Sequence, residues 1–172
     1  MVFDYYNRLS AKKQSIYRQS DAIIAIRLPD PQPLRLAAQS LVGALKSEDR
    51  GAVQSLSQQI ADGIIAQLEV PPLRIQVLTV RPSDDWGELH GLYLPEEDGK
   101  AAKIQLWMRT AKHKRVVAYK SFLRTLLHEL CHHFDYELYR FSETFHTQGF
   151  YSRESSLLHQ LAPPAGEPGK VP

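Results

Sequence analysis

His128-Glu129-Leu130-Cys131-His132 is the segment whose residue types and spacing could do chemistry. Residues i and i+4 sit one above the other on a helix surface. The imidazoles of His128 and His132 can therefore converge on one zinc ion at about 2.0–2.1 Å each. Glu129 is rotated one residue on, placed to reach a water beside the metal without ligating it. It would take that water's proton as the water attacks a carbonyl. The competing reading is a solvated or capping histidine pair. The motif's place on a long amphipathic pattern favours the metal.

A catalytic zinc takes three protein ligands and keeps one position open. Glu143, His146 and Glu154 are the candidates for the third ligand, and His146 is preferred. It lies near the start of a second helix, expected from about His146 to Leu161, with Phe150 one turn later on the same side. Glu154 is eight residues from His146, about 12 Å along a helix, so the two are not expected on the same ion. Asp135 and Leu138 occupy the places where a metzincin carries glycine and histidine, and no methionine follows the motif. That arrangement is excluded.

H-E-L-C-H, then thirteen residues, then His146-Thr147-Gln148-Gly149-Phe150 resembles the SprT-like zinc metallopeptidases. The resemblance spans roughly residues 73 to 160. It implies that His128, His132 and His146 hold zinc and that Glu129 is the catalytic acid/base. It also implies a zincin-like fold, with a small sheet preceding the active-site helix. Thr147 stands where that family has glycine. No cysteine-rich zinc ribbon follows, which takes away support for a DNA-linked role.

Around the motif, Asp135 and Tyr136 lie one turn past His132 and could orient a ligand imidazole, although a solvated or capping role is the simpler expectation. Tyr139, Tyr151 and Arg153 are candidates to polarise a developing oxyanion. Cys131 reads as a small core residue, with a fourth-ligand or redox role as its alternative. His133 is expected to face solvent or the next helix, and Trp107 to be core. His90 and His159 have no partner pattern. The basic run Lys112-His113-Lys114-Arg115 reads as a solvated loop, because no aromatic residues interleave.

The elements that must position these residues follow from periodicity. Helical spacing is expected over about Tyr5–Ile26, Leu34–Lys46 and Asp49–Leu68, interrupted by Pro29, Pro31 and Pro33 and closed by Pro71-Pro72. Alternation then predicts strands over 73–79, 87–94 and 103–108, with a turn at Pro82–Asp85. The motif helix spans 117–140, with Phe122, Leu123, Leu126, Leu127, Leu130 and Phe134 on its apolar stripe. Ser142 or Thr144 is a possible N-cap of the helix after it. The fold class is therefore α+β and zincin-like: helices first, a small three-stranded sheet, the HExxH helix and a ligand-bearing helix. One domain is expected over 1–162, with a helical part over 1–70, a catalytic part over 73–162 and a flexible Pro/Gly tail over 163–172.

The chain has 172 residues, 43% hydrophobic and 23% charged, with a net charge of +2. That balance implies neither a nucleic-acid nor a membrane partner. One cysteine excludes a disulfide framework and a cysteine-only zinc site. The N-terminus has no basic start and apolar run, so a cytoplasmic, reducing setting is expected. The activity these features imply is zinc-dependent hydrolysis of a protein or peptide substrate. Its alternatives are a regulatory peptidase cutting one partner protein and a non-catalytic zinc-stabilised interaction module. The seven histidines are unremarkable as a total, but four of them fall between His128 and His146.

Overall fold

The computed structural model describes residues 2–85 and 87–162; the tail over 163–172 lies outside them. A 3-10 turn (Asp4–Arg8) precedes α1 (Ala11–Ala22), α2 (Gln32–Lys46) and α3 (Arg50–Leu68). Then come β1 (Arg74–Val80), β2 (Ser83–Asp84), β3 (Gly87–Glu88), β4 (Gly91–Leu94) and β5 (Lys103–Arg109). The chain continues into α4 (Tyr119–Glu137) and α5 (Gln148–Leu161). Among the described residues the class is α+β, five α-helices with a small mixed sheet.

The single helix expected over Tyr5–Ile26 is instead a 3-10 turn followed by α1. Ser10 restarts the chain as an N-cap, its side chain accepting the Lys13 N–H. After Ala22 the backbone turns extended at Ile23, a β-branched residue with low helix preference. Pro33 is tolerated in the first turn of α2, where its missing N–H has no helical partner to lose. Asp49 caps α3 by accepting the Ala52 N–H, and Glu69 ends that helix in the left-handed region at φ 53°.

The sheet order is β1-β5-β4. β1 pairs with β5 in parallel, Ile75 opposite Ile104, and β4 pairs with β5 antiparallel, Tyr93 opposite Ile104. The segment expected as a turn at Pro82–Asp85 contributes β2, which pairs antiparallel with β3. The strand expected over 87–94 is correspondingly broken into β3 and β4. Between them the Leu89 N–H donates to the Pro82 carbonyl at 3.0 Å, drawing the chain toward β2 before it rejoins the sheet.

The two sheet edges are treated differently. On β1, the Gln54 amide donates to the Ile75 carbonyl and accepts the Val77 N–H. Gln58 does the same with the Leu73 carbonyl and the Ile75 N–H. These α3 side chains occupy the backbone groups a further strand would use, which blunts that edge. β4 forms the other edge and runs beside α4.

The core joins α2, α3, α4, α5 and the sheet, with Leu41, Ile60, Val77, Ile104, Leu126 and Leu157 at or below 1% exposure. Trp107 is buried, as expected. The turn carrying Lys112, His113, Lys114 and Arg115 is exposed.

α1 docks on the start of α5 through a close approach. A Cβ on Gly149 would fall 2.4 Å from the Asp21 carbonyl oxygen, a backbone atom that cannot swing away. Gly149→Ala is therefore expected to lower stability by about 1–3 kcal/mol, the range for overpacking, read as a lower urea midpoint at unchanged slope. An unchanged midpoint would show that α1 gives way freely.

Candidate metal centre

α4 carries His128, Glu129 and His132 because its apolar stripe is anchored in the core on one side. Phe122, Leu123, Leu126, Leu127, Leu130 and Phe134 are each at most 2% exposed. The i, i+4 pair then lies at the wall of a cleft of about 610 Å³, lined also by Tyr93 and Tyr136. The helix ends at Glu137, three residues earlier than expected, and Arg140 turns the chain in the left-handed region at φ 57°. The return segment brings His146 back across the two α4 histidines.

His146 lies just before α5 and not on it. The helix starts at Gln148, and its N-cap is Thr147, whose hydroxyl accepts the Phe150 N–H at 2.9 Å. Neither Ser142 nor Thr144 caps it; the Thr144 hydroxyl is engaged with Asp135 at 2.7 Å.

The three Nε2 atoms converge. His146 Nε2 lies 3.0 Å from His128 Nε2 and 3.1 Å from His132 Nε2. All three ligand atoms lie within 4.8 Å of one another. Two nitrogens bound to one tetrahedral zinc are about 3.3 Å apart, given bond lengths of about 2.0–2.1 Å. The spacing therefore suits a shared ion. The Phe150 ring, fully buried, packs against all three imidazoles at 4.8–5.1 Å between centroids.

Second partners set which nitrogen of each α4 histidine is free. His128 Nδ1 lies 2.8 Å from Glu154 Oε2. Glu154 Oε1 in turn accepts from Arg124 at 2.5 Å. Its His128 and Arg124 hydrogen bonds outweigh burial and hold the Glu154 carboxyl below its ordinary range. An ionised carboxylate only accepts, so His128 carries its proton on Nδ1 and leaves Nε2 open. Glu154, the alternative third ligand, thus stands behind His128, the usual arrangement of a carboxylate that orients a ligand imidazole. Burial is the main cause that pushes His132 down to about 3, with His128, His146 and Arg153 adding to it, so the ring is neutral and able to ligate. Burial also lowers His146.

Glu129 is 6% exposed. Burial raises its carboxyl to about 7, opposed by His128 and by the Tyr93 N–H it accepts. Gly91 in β4 makes this seat possible. A Cβ there would fall 2.5 Å from Glu129 Oε1 and 2.7 Å from Thr125 Cγ2.

Residues 41–162 match the WLM domain. The chain belongs to the WLM domain family. This is a zincin-related, metallopeptidase-like domain, and the match covers most of the chain, including every residue of the histidine cluster. No curated protein and no solved structure matches it. No helix among the described residues is long and apolar enough to cross a membrane.

Several side chains of this WLM domain sit elsewhere than the sequence implied. Arg153 is fully buried and pairs with Asp135 at 2.7 Å, so it faces away from the cleft instead of polarising an oxyanion. Tyr139 packs under the Arg153 guanidinium at 5.4 Å. Tyr151, by contrast, is exposed and stacks on His146 at 5.8 Å, beside the histidine cluster, so its placement does not contradict the oxyanion reading. Asp135 is fully buried rather than solvated.

His133, expected near solvent or the next helix, is 1% exposed. Its Nε2 donates to the Pro71 carbonyl at 2.8 Å, which leaves Nδ1 to accept from the Tyr93 hydroxyl at 3.1 Å. It therefore ties α4 to β4 and to the end of the α3–β1 connection. Cys131 is buried outside the histidine cluster, and burial pushes its thiol far up. That opposes both a thiolate ligand and a redox role.

Proposed function

We propose that this chain is a zinc-dependent peptidase of zincin-like fold, with His128, His132 and His146 as the metal ligands and Glu129 as general base and acid. The observation that carries the reading is the convergence of the three Nε2 atoms beside a buried carboxylate at an open cleft. Three imidazoles form a donor set suited to zinc, and it leaves a position for water. A closed structural site would need a fourth protein ligand, and the cluster among the described residues holds three. This argues against a zinc-stabilised interaction module.

When bound, zinc supplies Lewis acidity and makes water nucleophilic at neutral pH. Glu129 takes the proton from the attacking water and returns it to the departing amine. Its buried carboxylate, beside the three Nε2 atoms at the cleft wall, is placed for both transfers. Glu154 and Thr144 hold the α4 imidazoles in the tautomer that presents Nε2. β4, the sheet edge not covered by α3, borders the cleft and can take an extended substrate strand by β-addition.

The test is a proteome-derived peptide library incubated with zinc-loaded protein, new termini being read by mass spectrometry. Cleavage that stops on chelation and returns with zinc is expected. Protein that binds zinc with a sulfur ligand and no water by X-ray absorption, and cuts nothing, would overturn the proposal. Gly91→Ala offers a second check. The added methyl displaces the Glu129 carboxylate while the histidines stay in place, so turnover is expected to fall at least about tenfold with zinc content unchanged. Unchanged turnover would show that Glu129 does not need this seat.

A further inference from the structure

Arg153 is an unusual residue to bury completely. Four of its five N–H groups have partners. Nη1 donates to the Ser20 and Ile23 carbonyls at 2.6 and 2.8 Å. Nη2 donates to Ser20 Oγ at 3.0 Å and to Asp135 Oδ1 at 2.7 Å. Two of these contacts are carbonyls at the C-terminal end of α1, where a cation is favoured by the helix dipole; the Ser20 carbonyl also accepts the Ile23 N–H at 3.3 Å. The other end of the chain of contacts reaches the metal centre. Asp135 Oδ2 accepts the Thr144 hydroxyl at 2.7 Å, and Thr144 Oγ1 lies 2.9 Å from His132 Nδ1. Thr144 has one hydroxyl proton and gives it to Asp135, so its oxygen can only accept from His132 Nδ1–H.

The segment before residue 24 makes further contacts in the same region. Asp21 Oδ1 accepts the Gly149 N–H at 2.9 Å, at the start of α5. The Tyr5 hydroxyl donates to the His146 carbonyl at 3.2 Å. Lys13 pairs with Glu143 at 3.0 Å, on the segment that carries His146. All of these residues of the first segment precede the matched WLM region, which begins at 41.

We infer that Arg153 is a positioning residue for the metal centre: through Asp135 and Thr144 it ties the end of α1 to His132, so that the first segment of the chain helps set the ligand geometry. The inference rests on the ligand assignment proposed above. Its physical content is directional. Because Arg153 and Asp135 are locked by α1, Thr144 is locked too, and His132 is confined to the tautomer whose Nε2 lone pair faces the site. Glu154 does the corresponding work for His128 without any contribution from α1.

The experiment compares Thr144→Val, Thr144→Ser and Ser20→Ala in the full chain. Two readouts are used: the ¹⁵N shifts of the imidazoles in metal-free protein, and zinc affinity by competition with a chelator. Thr144→Val is expected to release His132 from its single tautomer and weaken zinc binding by about 10–100-fold, the range for losing an outer-shell partner. Thr144→Ser keeps both. Ser20→Ala is expected to weaken zinc in the wild-type background and to have no further effect in Thr144→Val, because both act on one chain of contacts.

A Thr144→Val protein with an unchanged His132 tautomer and unchanged affinity would overturn the relay. Full additivity of Ser20→Ala with Thr144→Val would overturn the coupling to α1. If the wild-type chain binds no zinc, the ligand assignment falls, while the imidazole shifts still decide whether the relay fixes His132.

Discussion

If the proposed mechanism holds, Glu129→Gln is expected to keep zinc and lose peptidase turnover. The substitution preserves side-chain shape beside Gly91 and leaves His128, His132 and His146 untouched. It removes the group placed to carry the proton in both directions. General acid–base catalysis contributes about 10²–10⁴-fold, and both transfers depend on this one carboxylate, so a fall of about 10³-fold or more is expected. Metal analysis and turnover on one preparation check it. Retained turnover at full zinc occupancy would sink the mechanism.

The same variant has a second consequence, visible without zinc. Burial raises the Glu129 carboxyl from 4.5 to about 7. Between those values the native state holds a proton that the unfolded chain has lost, so stability falls as pH rises. The stabilisation is fully present below about pH 4.5 and is lost as pH climbs through about 7. The glutamine amide of the variant is uncharged throughout and escapes the loss. At about 1.4 kcal/mol per pH unit, metal-free Glu129→Gln is expected to exceed metal-free wild type by on the order of 3 kcal/mol at pH 8. The two should melt together below about pH 4.5. Thermal melts across pH on chelated protein measure the difference. His132 titrates in both proteins and cancels. Equal stability at pH 8 would show that the carboxylate is not desolvated. Together the two results describe a carboxylate that destabilises the apo fold where it serves the reaction.

What was legible in the sequence was local. The i, i+4 histidines and the apolar stripe that orients them follow from spacing within a turn or two, whereas the cap of α5 was expected at Ser142 or Thr144 and falls at Thr147. The strands of the main sheet were legible too, because alternation is also local. Strand order was not readable: β1 pairs with β5 in parallel and skips β4, a choice made by α3 closing over β1. The roles of Arg153, Asp135 and His133 were misread for one shared reason. Arg153 was expected at the cleft, Asp135 as solvated or capping with an orienting role as its alternative, and His133 at solvent or the next helix; each is instead buried and paired. Arg153 meets Ser20 across 133 residues, and His133 meets Pro71 across 62. A buried polar group is tolerable once paired, and sequence spacing carries no record of such pairing. Glu154 is intermediate. Joint ligation with His146 was not expected from spacing along one helix, yet His146 lies before α5, and only the packing of α5 on α4 puts Glu154 behind His128.

Arg153→Met is expected to be the most destabilising single change away from the ligands. Arg153 and Asp135 are both fully buried and 2.7 Å apart. Methionine fills much of the volume but leaves Asp135 without its countercharge; the Ile23 carbonyl loses the Arg153 donor, and the Ser20 carbonyl keeps only the Ile23 N–H. Breaking a buried pair from one side costs about 3–5 kcal/mol, so a fall in melting temperature on the order of 10 °C is expected for a chain of this size. Asp135→Asn in the same background removes the stranded charge while keeping an acceptor for Thr144, and should recover part of the loss. That recovery separates the uncompensated carboxylate from the lost contacts to α1, which asparagine cannot restore. If Arg153→Met melted with wild type, the pair would contribute nothing net and α1 would be held by its other contacts, among them Asp21 with Gly149. If the double variant melted no higher than Arg153→Met, the cost would lie in the α1 carbonyls and not in Asp135. Urea unfolding of the two variants, with and without excess zinc, distinguishes these outcomes. Bound metal stabilises the native state by an amount that grows with the logarithm of free metal over its dissociation constant, so a weakened site appears as a smaller zinc-induced shift.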